Sequence, residues 1–500
     1  MPDPSRYFLG LDAGNTVIKA VLFDSDGRQV GMHALDGQSS TPEPGHVERD
    51  LNELWANART AIASCVASAG VAPEDIAGIG CAGHGNGLYL LDRAGAPLIG
   101  IQSLDARAAA LAADLSAKDG DALHSICLQS PWPSQTPTLL AWVRQHRPEL
   151  YEAADAVLFC KDFITYKLTG ERVSEISDMS GAGLLRIPEC TYDDTLFALY
   201  GIEDAREKFP PLIKPCEIAG RVTRTAAEAT GLAEGTPVIG GYFDVVSSAM
   251  GSGVVRPGEA SIIAGSWSIN QVFSEMPVVN PSVFMVSAFA PGRFVNMDNS
   301  ATSAANLEWY VREFVERGAH HGNPFGFVND RLSQVSPKSD NPFFLPFLYG
   351  SGQGASYRAG LVGMAGWHGE GHVLRALFEG VMFEHRRHVG VLQKAGLSFD
   401  RAVLSGGGSR SPYWPQMFAD GLGVTIRVAE ASETGVLGAA IGVAIAVGEV
   451  SGYDEGIDRM TRTKAELAPD PEMKTHYDER YRAYLDLTDR MRDFFARVSK

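Results

Sequence analysis

The sequence is short of positive charge. Its 43 Lys and Arg residues stand against 60 Asp and Glu residues, which gives a formal net charge of −17 at pH 7. A general affinity for nucleic acid or for anionic membranes needs a basic face. We therefore expect neither partner, and any phosphate group must be held by a local arrangement of side chains and backbone.

Cysteine is also scarce and is not arranged for metal binding. The six cysteines lie at positions 65, 81, 127, 160, 190 and 216, with no CxxC pair and no neighbouring histidine at metal-ligand spacing. This pattern argues against the common zinc motifs and against a disulfide framework. We expect reduced structural thiols.

Long apolar runs are missing as well. The N-terminus, MPDPSRYFLG, lacks the basic start and apolar core of a signal peptide. The longest weakly polar run, 434–450, is shorter than a bilayer span and follows Glu433 as a helix start would. We predict a buried helix there and a cytoplasmic protein.

The length and the hydrophobic pattern predict two α/β domains. Five hundred residues exceed what one core usually fills, and we place the boundary near residue 255, giving domains 1–255 and 256–500. Helical spacing at 53–69 and 138–146 alternates with apolar strand patterns at 76–81 and 156–159. Such alternation is typical of helices layered on a sheet. Further helices are predicted at 373–392, 413–421 and 473–498, with a strand at 402–404.

A strand–turn–strand pattern occurs in both halves. The first has strands at 7–11 and 17–23, followed by a turn at 24–27 and a third strand; the second has strands at 260–264 and 269–273. Small residues in the intervening turns allow backbone N–H groups to approach a phosphate. Asp12 could hold Mg²⁺ through water, and Thr16 and Lys19 could reach phosphoryl oxygens. A plain Asx-turn hairpin would give the same first turn.

Two further loops could bind a nucleotide. The turn 265–268 could clamp another phosphate, and the glycine-rich segment 404–411 joins a strand to a helix, where nucleotides commonly pack. Taken alone, its three glycines would indicate only a flexible loop.

A candidate catalytic base lies in the segment VIGGYFD, which ends at Asp244. Phosphoryl transfer to a hydroxyl needs a carboxylate that orients and deprotonates the acceptor. An acid leaving a buried strand through a Gly-Gly bend has that placement. The same residue could instead cap a helix starting at Val245.

Two loops after strands carry groups suited to a polyhydroxylated ligand. They are 83–87, with His84, and 102–107, with Asp105 and Arg107; Trp132 could supply an aromatic wall. The alternatives are a structural histidine and a packed loop aromatic.

In order, these segments resemble the FGGY family of carbohydrate kinases over nearly the whole chain. The matching stretches include LGLDAGNTVIKAVLFD (9–24), GHVERD (45–50), IAGIGCAGHG (76–85), KDFITYKLTGE (161–171), GTPVIGGYFDVVSSAMGSG (235–253), FFLPFLYG (343–350), LFEGVMF (377–383), LSGGGSRSPYWPQMFAD (404–420) and ETGVLGAA (433–440).

The resemblance implies two ribonuclease-H-like domains of the actin, hexokinase and Hsp70 superfamily, with an interdomain ATP cleft. It implies Asp244 as catalytic base and Asp12 as the Mg²⁺ residue. The cofactor-binding candidates for ATP are Gly14, Asn15, Thr16, Lys19, Gly265, Ser266, Gly407, Gly408 and Ser411. The substrate-binding candidates are Gly83, His84, Asp105, Arg107, Trp132, Phe243 and Asp244.

The pocket departs from the family pattern in places. Many pentulose kinases have Trp-Asn-Asp where this chain has Ser103-Leu104-Asp105, and a common Gly-Gly pair is replaced by 304–306. Stretches at 240–247, 306–310 and 343–351 are most similar to L-xylulose/3-keto-L-gulonate kinases and xylulokinase-like members. We expect a pentulose substrate and, from the family, a homodimer. The alternatives are a non-catalytic sensor of the same fold and an erythritol- or glycerol-type polyol kinase.

Overall fold

The structure is a computed structural model that describes residues 6–317, 322–354 and 356–498. The chain forms two compact units. The first comprises Met1–Pro257, Phe273–Asn296 and Glu433–Arg462, and the second comprises Gly258–Val272, Met297–Ser432 and Thr463–Lys500. The chain first passes between them after Pro257, and two later segments return to the first unit. The division of roles between 1–255 and 256–500 stays a prediction.

The strands, in chain order, are β1 (Tyr7–Ala13), β2 (Val17–Asp24), β3 (Gln29–Asp36), β4 (Ile76–Gly83), β5 (Leu88–Leu91), β6 (Pro97–Ile101), β7 (Ala156–Leu158), β8 (Ser174–Glu175), β9 (Leu185–Arg186), β10 (Thr191–Tyr192), β11 (Leu212–Ile213), β12 (Ile218–Arg221), β13 (Pro237–Ile239), β14 (Tyr242–Phe243), β15 (Ala260–Ala264), β16 (Ser268–Ser274), β17 (Met285–Ala290), β18 (Arg293–Ser300), β19 (Phe343–Leu345), β20 (Gly360–Val362), β21 (Arg401–Ser405), β22 (Thr425–Ala429) and β23 (Thr463–Leu467).

The helices are α1 (Leu51–Ala69), α2 (Ala109–Cys127), α3 (Thr136–His146), α4 (Pro148–Ala153), α5 (Cys160–Thr169), α6 (Ile176–Ala182), α7 (Asp194–Leu199), α8 (Arg224–Thr230), α9 (Asp244–Gly251), α10 (Ala305–Tyr310), α11 (Pro324–Ser333), α12 (Glu370–Lys394), α13 (Trp414–Leu422), α14 (Thr434–Ala446), α15 (Tyr453–Met460) and α16 (Pro471–Val498).

The sheet of the first unit has the order β12-β13-β4-β1-β2-β3. The strands β1, β2 and β3 form an antiparallel meander, and β4 pairs in parallel with β1 and with β13. In the β1–β2 pair Asp12 is opposite Lys19. Directly opposed residues of an antiparallel pair share one face of the sheet. The register therefore brings the predicted metal residue and the predicted phosphate-binding lysine together.

The second unit repeats this topology. Its sheet places β18, β16, β15, β21, β22 and β23 side by side. The strand β15 is antiparallel to β16 and parallel to β21, which is parallel to β22. Both units therefore have the ribonuclease-H-like core of the actin and hexokinase superfamily, and the predicted fold class is confirmed.

The predicted buried helix is α14, and its glycines bring backbones into close contact. A Cβ on Gly438 would lie 1.9 Å from the Ser247 carbonyl oxygen of α9, and one on Gly10 would lie 2.4 Å from the Val436 carbonyl oxygen. A larger residue at either site would force β1 or α9 away from α14. The helix thus fixes β1, which carries Asp12, relative to α9, which begins at Asp244.

The other elements predicted from the sequence are confirmed with small shifts at their ends. The helix expected at 53–69 is α1, the one at 373–392 is α12, and the one at 473–498 is α16. The strands expected at 76–81 and 402–404 are β4 and β21. All six cysteines are free, as expected for reduced thiols.

Candidate active site

Two partly buried carboxylates, Asp12 and Asp244, lie in the first unit. Desolvation, together with the nearby charge of Asp12, raises the pKa of Asp244 to about 8. Burial also raises the pKa of Asp12 to about 6, Lys19 opposes this change, and Glu433 reinforces it. Like charges in a desolvated site disfavour joint ionisation. The pair is therefore a site where a proton or a cation is held strongly.

The Gly-Gly bend before Asp244 is required by the backbone. Gly241 has a φ of +84°, and a Cβ there would lie 2.1 Å from the Cys81 carbonyl oxygen of β4. Only glycine fits this conformation and this close approach. The bend directs the chain through β14 into α9, which begins at Asp244.

The alternative interpretation, in which Asp244 caps a helix starting at Val245, is wrong. Phe243, not Asp244, occupies the N-cap position of α9, and Asp244 is the first helical residue. Its carboxylate still interacts with the N–H of Val245, which lowers its pKa against the larger effect of burial. An acid in the first turn of a helix is favourably placed against the helix dipole.

The phosphate turn, defined here as Gly14 to Thr16, joins β1 to β2, and Lys19 lies just beyond it. Nζ of Lys19 is 2.8 Å from Oε2 of Glu433, the residue before α14. Both side chains are partly buried. No local pattern in the sequence links Glu433 to a lysine 414 positions away.

His84 follows β4 next to the end of β1. Its backbone N–H donates to the Ala13 carbonyl oxygen at 3.3 Å, and its Nε2 is 2.8 Å from the Tyr89 hydroxyl. Within the described part of the chain, its buried Nδ1 has no partner. Burial lowers the pKa of His84 to about 4, so the ring is neutral. A neutral imidazole with one free nitrogen can hydrogen-bond a ligand hydroxyl.

Asp105 and Arg107 are engaged by protein groups. The Asp105 carboxylate accepts from Val47 N at 2.6 Å and from the backbone and side chain of Arg107 at 2.8–2.9 Å. Arg107 also donates to Glu48 at 2.8 Å. The pair therefore braces the loop 102–107, named here the substrate loop, and its contact with a substrate stays a prediction.

Trp132 and Phe243 are the aromatic candidates. The Trp132 ring is 6.1 Å from that of Phe284, and its buried Nε1 lacks a partner among the described residues. Phe243 is buried, its backbone N–H donates to the Ser177 Oγ at 3.0 Å, and its ring lies against Gly85. Trp132 thus has an indole N–H free for a ligand.

The glycine loops of the second unit lie against each other. A Cβ on Gly408 would be 2.8 Å from the Cβ of Ala264, directly before Gly265, and one on Gly406 would be 3.0 Å from the Ala264 carbonyl oxygen. Gly407 is exposed and has open space around it. The Ser411 Oγ accepts from Tyr413 N and Trp414 N, at the start of α13. Ser266 lies in the turn between β15 and β16.

The donor set around Asp12 suits a magnesium ion that shares its shell with phosphate and water. Among the described residues, no group of three or more His, Cys, Asp or Glu side chains could hold a metal by itself. Mg²⁺ is usually bound through one or two carboxylates together with substrate phosphates. Because Lys19 is paired with Glu433, a dication would offset the remaining negative charge of Asp12 and Asp244. The residues therefore fit Mg²⁺.

The described chain gives no sign of a membrane span. None of its helices combines the length and apolarity that crossing a bilayer requires.

The fold is that of the actin and hexokinase superfamily, to which sugar kinases belong. Residues 7–251 match the N-terminal domain of the FGGY family of carbohydrate kinases, and residues 260–447 match its C-terminal domain. The chain belongs to this family and is a carbohydrate kinase.

Known relatives agree with this assignment. The chain is 34% identical over 488 residues to a probable L-xylulose kinase of Pasteurella multocida (strain Pm70), covering 97% of this chain and 98% of that protein. It is 32% identical to the L-xylulose/3-keto-L-gulonate kinase of Escherichia coli (strain K12), with 99% of each covered. The crystal structure of xylulose kinase from Rhodospirillum rubrum matches with a TM-score of 0.89 and 29% identity, covering 98% of this chain and 100% of that one.

Proposed function

We propose that this kinase transfers the terminal phosphoryl group of Mg·ATP to a hydroxyl of a pentulose of the xylulose or L-xylulose type, with Asp244 as the general base. The observation that carries the proposal is the position of Asp244 at the start of α9, where desolvation and the nearby charge of Asp12 raise its pKa to about 8. A base is most effective when its pKa lies near the working pH. An ordinary exposed aspartate would be too weak for this role.

Different residues of the chain have different roles in the proposed reaction. Asp244 accepts the proton of the acceptor hydroxyl, Lys19 and the phosphate turn bind phosphoryl oxygens, and Asp12 holds the metal. When bound, Mg²⁺ neutralises charge on the phosphoryl group being transferred. In the second unit, Gly265 and Ser266 contact phosphates, while Gly407, Gly408 and Ser411 bind the adenosine end.

The sugar is recognised by groups of the first unit. The free Nδ1 of His84 and the free Nε1 of Trp132 are the strongest candidates, because each is buried and lacks a partner among the described residues. Buried polar groups without partners are costly, and a polyhydroxylated ligand would satisfy them. Gly83 and Phe243 shape the wall, and Asp105 and Arg107 fix the loop.

The sugars to be tested as substrates are chosen partly from the names of the relatives. Turnover should be measured as ADP release with Mg·ATP and a panel of L-xylulose, D-xylulose, 3-keto-L-gulonate, erythritol and glycerol. We expect a pentulose to give the highest kcat/KM. Preferential turnover of erythritol or glycerol would assign the polyol-kinase alternative, and nucleotide binding without ADP formation on any sugar would assign the sensor.

A homodimeric assembly and a cytoplasmic location belong to the same proposal. Sedimentation of the purified chain would test the first.

A further inference from the structure

The three backbone carbonyl groups of the phosphate turn are each held by a residue from elsewhere in the first unit. The Gly14 carbonyl oxygen accepts from Arg49 Nη1 at 3.2 Å, and the Asn15 carbonyl oxygen accepts from Gln102 Nε2 at 2.7 Å. The Thr16 carbonyl oxygen accepts from Gly37 N at 2.6 Å. All three distances are within the normal range or slightly short of it.

This arrangement determines where the N–H groups of the turn point. In a planar trans peptide, the carbonyl of one residue and the N–H of the next point in opposite directions. Because the carbonyls of Gly14 and Asn15 point towards Arg49 and Gln102, the N–H groups of Asn15 and Thr16 point away from them. Within the described residues, neither N–H has a hydrogen-bond acceptor. Successive free N–H groups of this kind form an anion-binding concavity.

The side chain of Arg49 is held in a fixed position. Its side chain is fully buried, its Nε donates to Glu53 at 3.1 Å, and its Nη2 has no partner among the described residues. A Cβ on Gly37 would lie only 2.2 Å from that Nη2, so the guanidinium fits tightly against the Gly37 backbone. A buried guanidinium is costly unless it is fixed by several contacts. The hydrogen bonds of Arg49 connect Gly14 of the phosphate turn to Glu53 of α1.

Gln102 connects the phosphate turn to the substrate loop. Its Oε1 accepts from Ser39 Oγ at 2.5 Å, which orients the amide so that Nε2 reaches Asn15. The next residue, Ser103, accepts a hydrogen bond from Asn15 Nδ2 at 3.0 Å, and its carbonyl accepts from Ser134 Oγ at 2.7 Å. Asn15 is therefore bound to the substrate loop through both its backbone and its side chain.

We propose that Arg49 and Gln102 are positioning residues, which hold the carbonyls of the phosphate turn so that its N–H groups face the phosphates of the nucleotide. This inference rests on the proposed role of the turn in binding ATP. Neither residue touches the nucleotide or the sugar in this account. Each acts through the backbone of Gly14 or Asn15.

The test uses the full-length enzyme with three variants. Gln102→Met removes the donor at similar size, and Gln102→Glu also places a negative charge beside the Asn15 carbonyl. Arg49→Lys keeps the charge but cannot span both Gly14 and Glu53. Gln416→Met is the matched control, because Gln416 Nε2 donates to the Ala468 carbonyl oxygen at 3.0 Å in the second unit.

We expect Gln102→Met and Arg49→Lys to weaken Mg·ADP binding by about tenfold, the usual cost of one lost hydrogen bond in a buried site. Gln102→Glu should weaken it further. Adenosine should bind to all three variants within about twofold of wild type, because it carries no phosphate for the N–H groups of the turn to bind. The control should match wild type for both ligands.

Three results would overturn the proposal. They are unchanged Mg·ADP affinity in all three variants, equal losses for ADP and adenosine, or losses that simply follow a lowered melting temperature. The binding measurement is independent of phosphoryl transfer. A wild-type enzyme that binds Mg·ADP but phosphorylates none of the sugars would refute the proposed function and still leave the role of Arg49 and Gln102 testable.

Discussion

Nζ of Lys19 and Oε2 of Glu433 are 2.8 Å apart, and this ion pair adjoins the partly buried carboxyl of Asp12. Lys19 lowers the pKa of Asp12, and Glu433 raises it. The lysine proposed to bind phosphate is thus paired with a carboxylate of its own chain. A phosphate must compete with Glu433 for that lysine.

Substitutions of this pair should therefore have opposite effects on nucleotide binding. Lys19→Met should raise the Kd of Mg·ADP about tenfold or more, because a charge-assisted contact is lost. Glu433→Gln should lower that Kd, because it releases Lys19 and removes one negative charge. Titration calorimetry measures both constants. A Glu433→Gln variant that binds Mg·ADP more weakly than wild type would contradict this view of the pair.

The pH dependence of turnover should reflect the raised pKa of Asp244. A general base must be ionised, so kcat/KM for the sugar should rise with pH through the pKa of Asp244 in the free enzyme, about 8 without metal. A bound dication favours the carboxylate form and moves this rise to lower pH. Profiles at low and high Mg²⁺ concentration measure the shift. A profile flat from about pH 5 to about pH 9 would contradict the assignment.

The same pKa gives a prediction for stability. The pKa of Asp244 is raised from 3.8 in the unfolded chain to about 8 in the folded one. Between these values the folded state binds more protons, so this group makes stability fall as pH rises through the window. Asp244→Asn removes the effect, which is worth about 1.4 kcal/mol for each unit of the shift.

Thermal unfolding without nucleotide and Mg²⁺ measures this difference. Asp244→Asn should be more stable than wild type at about pH 8.5, and the difference should shrink towards about pH 5. Equal stability at both pH values would show that Asp244 is not held as a buried acid. Asp75→Asn is a suitable control, because Asp75 is exposed and has no ion pair among the described residues.

The contact between α9 and α14 can be tested with paired glycine substitutions. Gly438→Ala places a Cβ 1.9 Å from the Ser247 carbonyl oxygen, so we expect a loss of about 2–3 kcal/mol in the free energy of unfolding. Gly390→Ala in α12 meets nothing within 4 Å and should stabilise by about 0.5–1 kcal/mol. Denaturant unfolding measures both. A neutral Gly438→Ala would show that the helices separate without cost.

Much of the fold and part of the site could be predicted from the sequence. The β1–turn–β2 unit, the buried α14 and the Gly-Gly bend before Asp244 have local signatures in apolar pattern and glycine placement. The alternative start of α9 at Val245 is one residue too late. An aspartate at this point in the sequence could serve either as a cap or as a first-turn acid. The chain's return to the first unit at Phe273–Asn296 and Glu433–Arg462 has no such signature.

The residues that support the site were not predictable in the same way. Glu433 meets Lys19 only after folding, and Arg49 and Gln102 donate to backbone carbonyls that any residue could provide. Because every residue has a backbone carbonyl, neither residue type nor spacing in the sequence indicates which carbonyl will be the acceptor. These contacts depend on how β1, the substrate loop and α14 pack together.

The most direct test of the account is a comparison of Asp244→Asn with wild type in two assays, sugar-dependent ADP release and Mg·ATP binding. The account predicts that turnover falls about 10²- to 10⁴-fold, the usual contribution of a general base, while the Kd of Mg·ATP stays within a few-fold of wild type. Turnover near the wild-type rate would contradict the role of Asp244 as the base that activates the sugar hydroxyl.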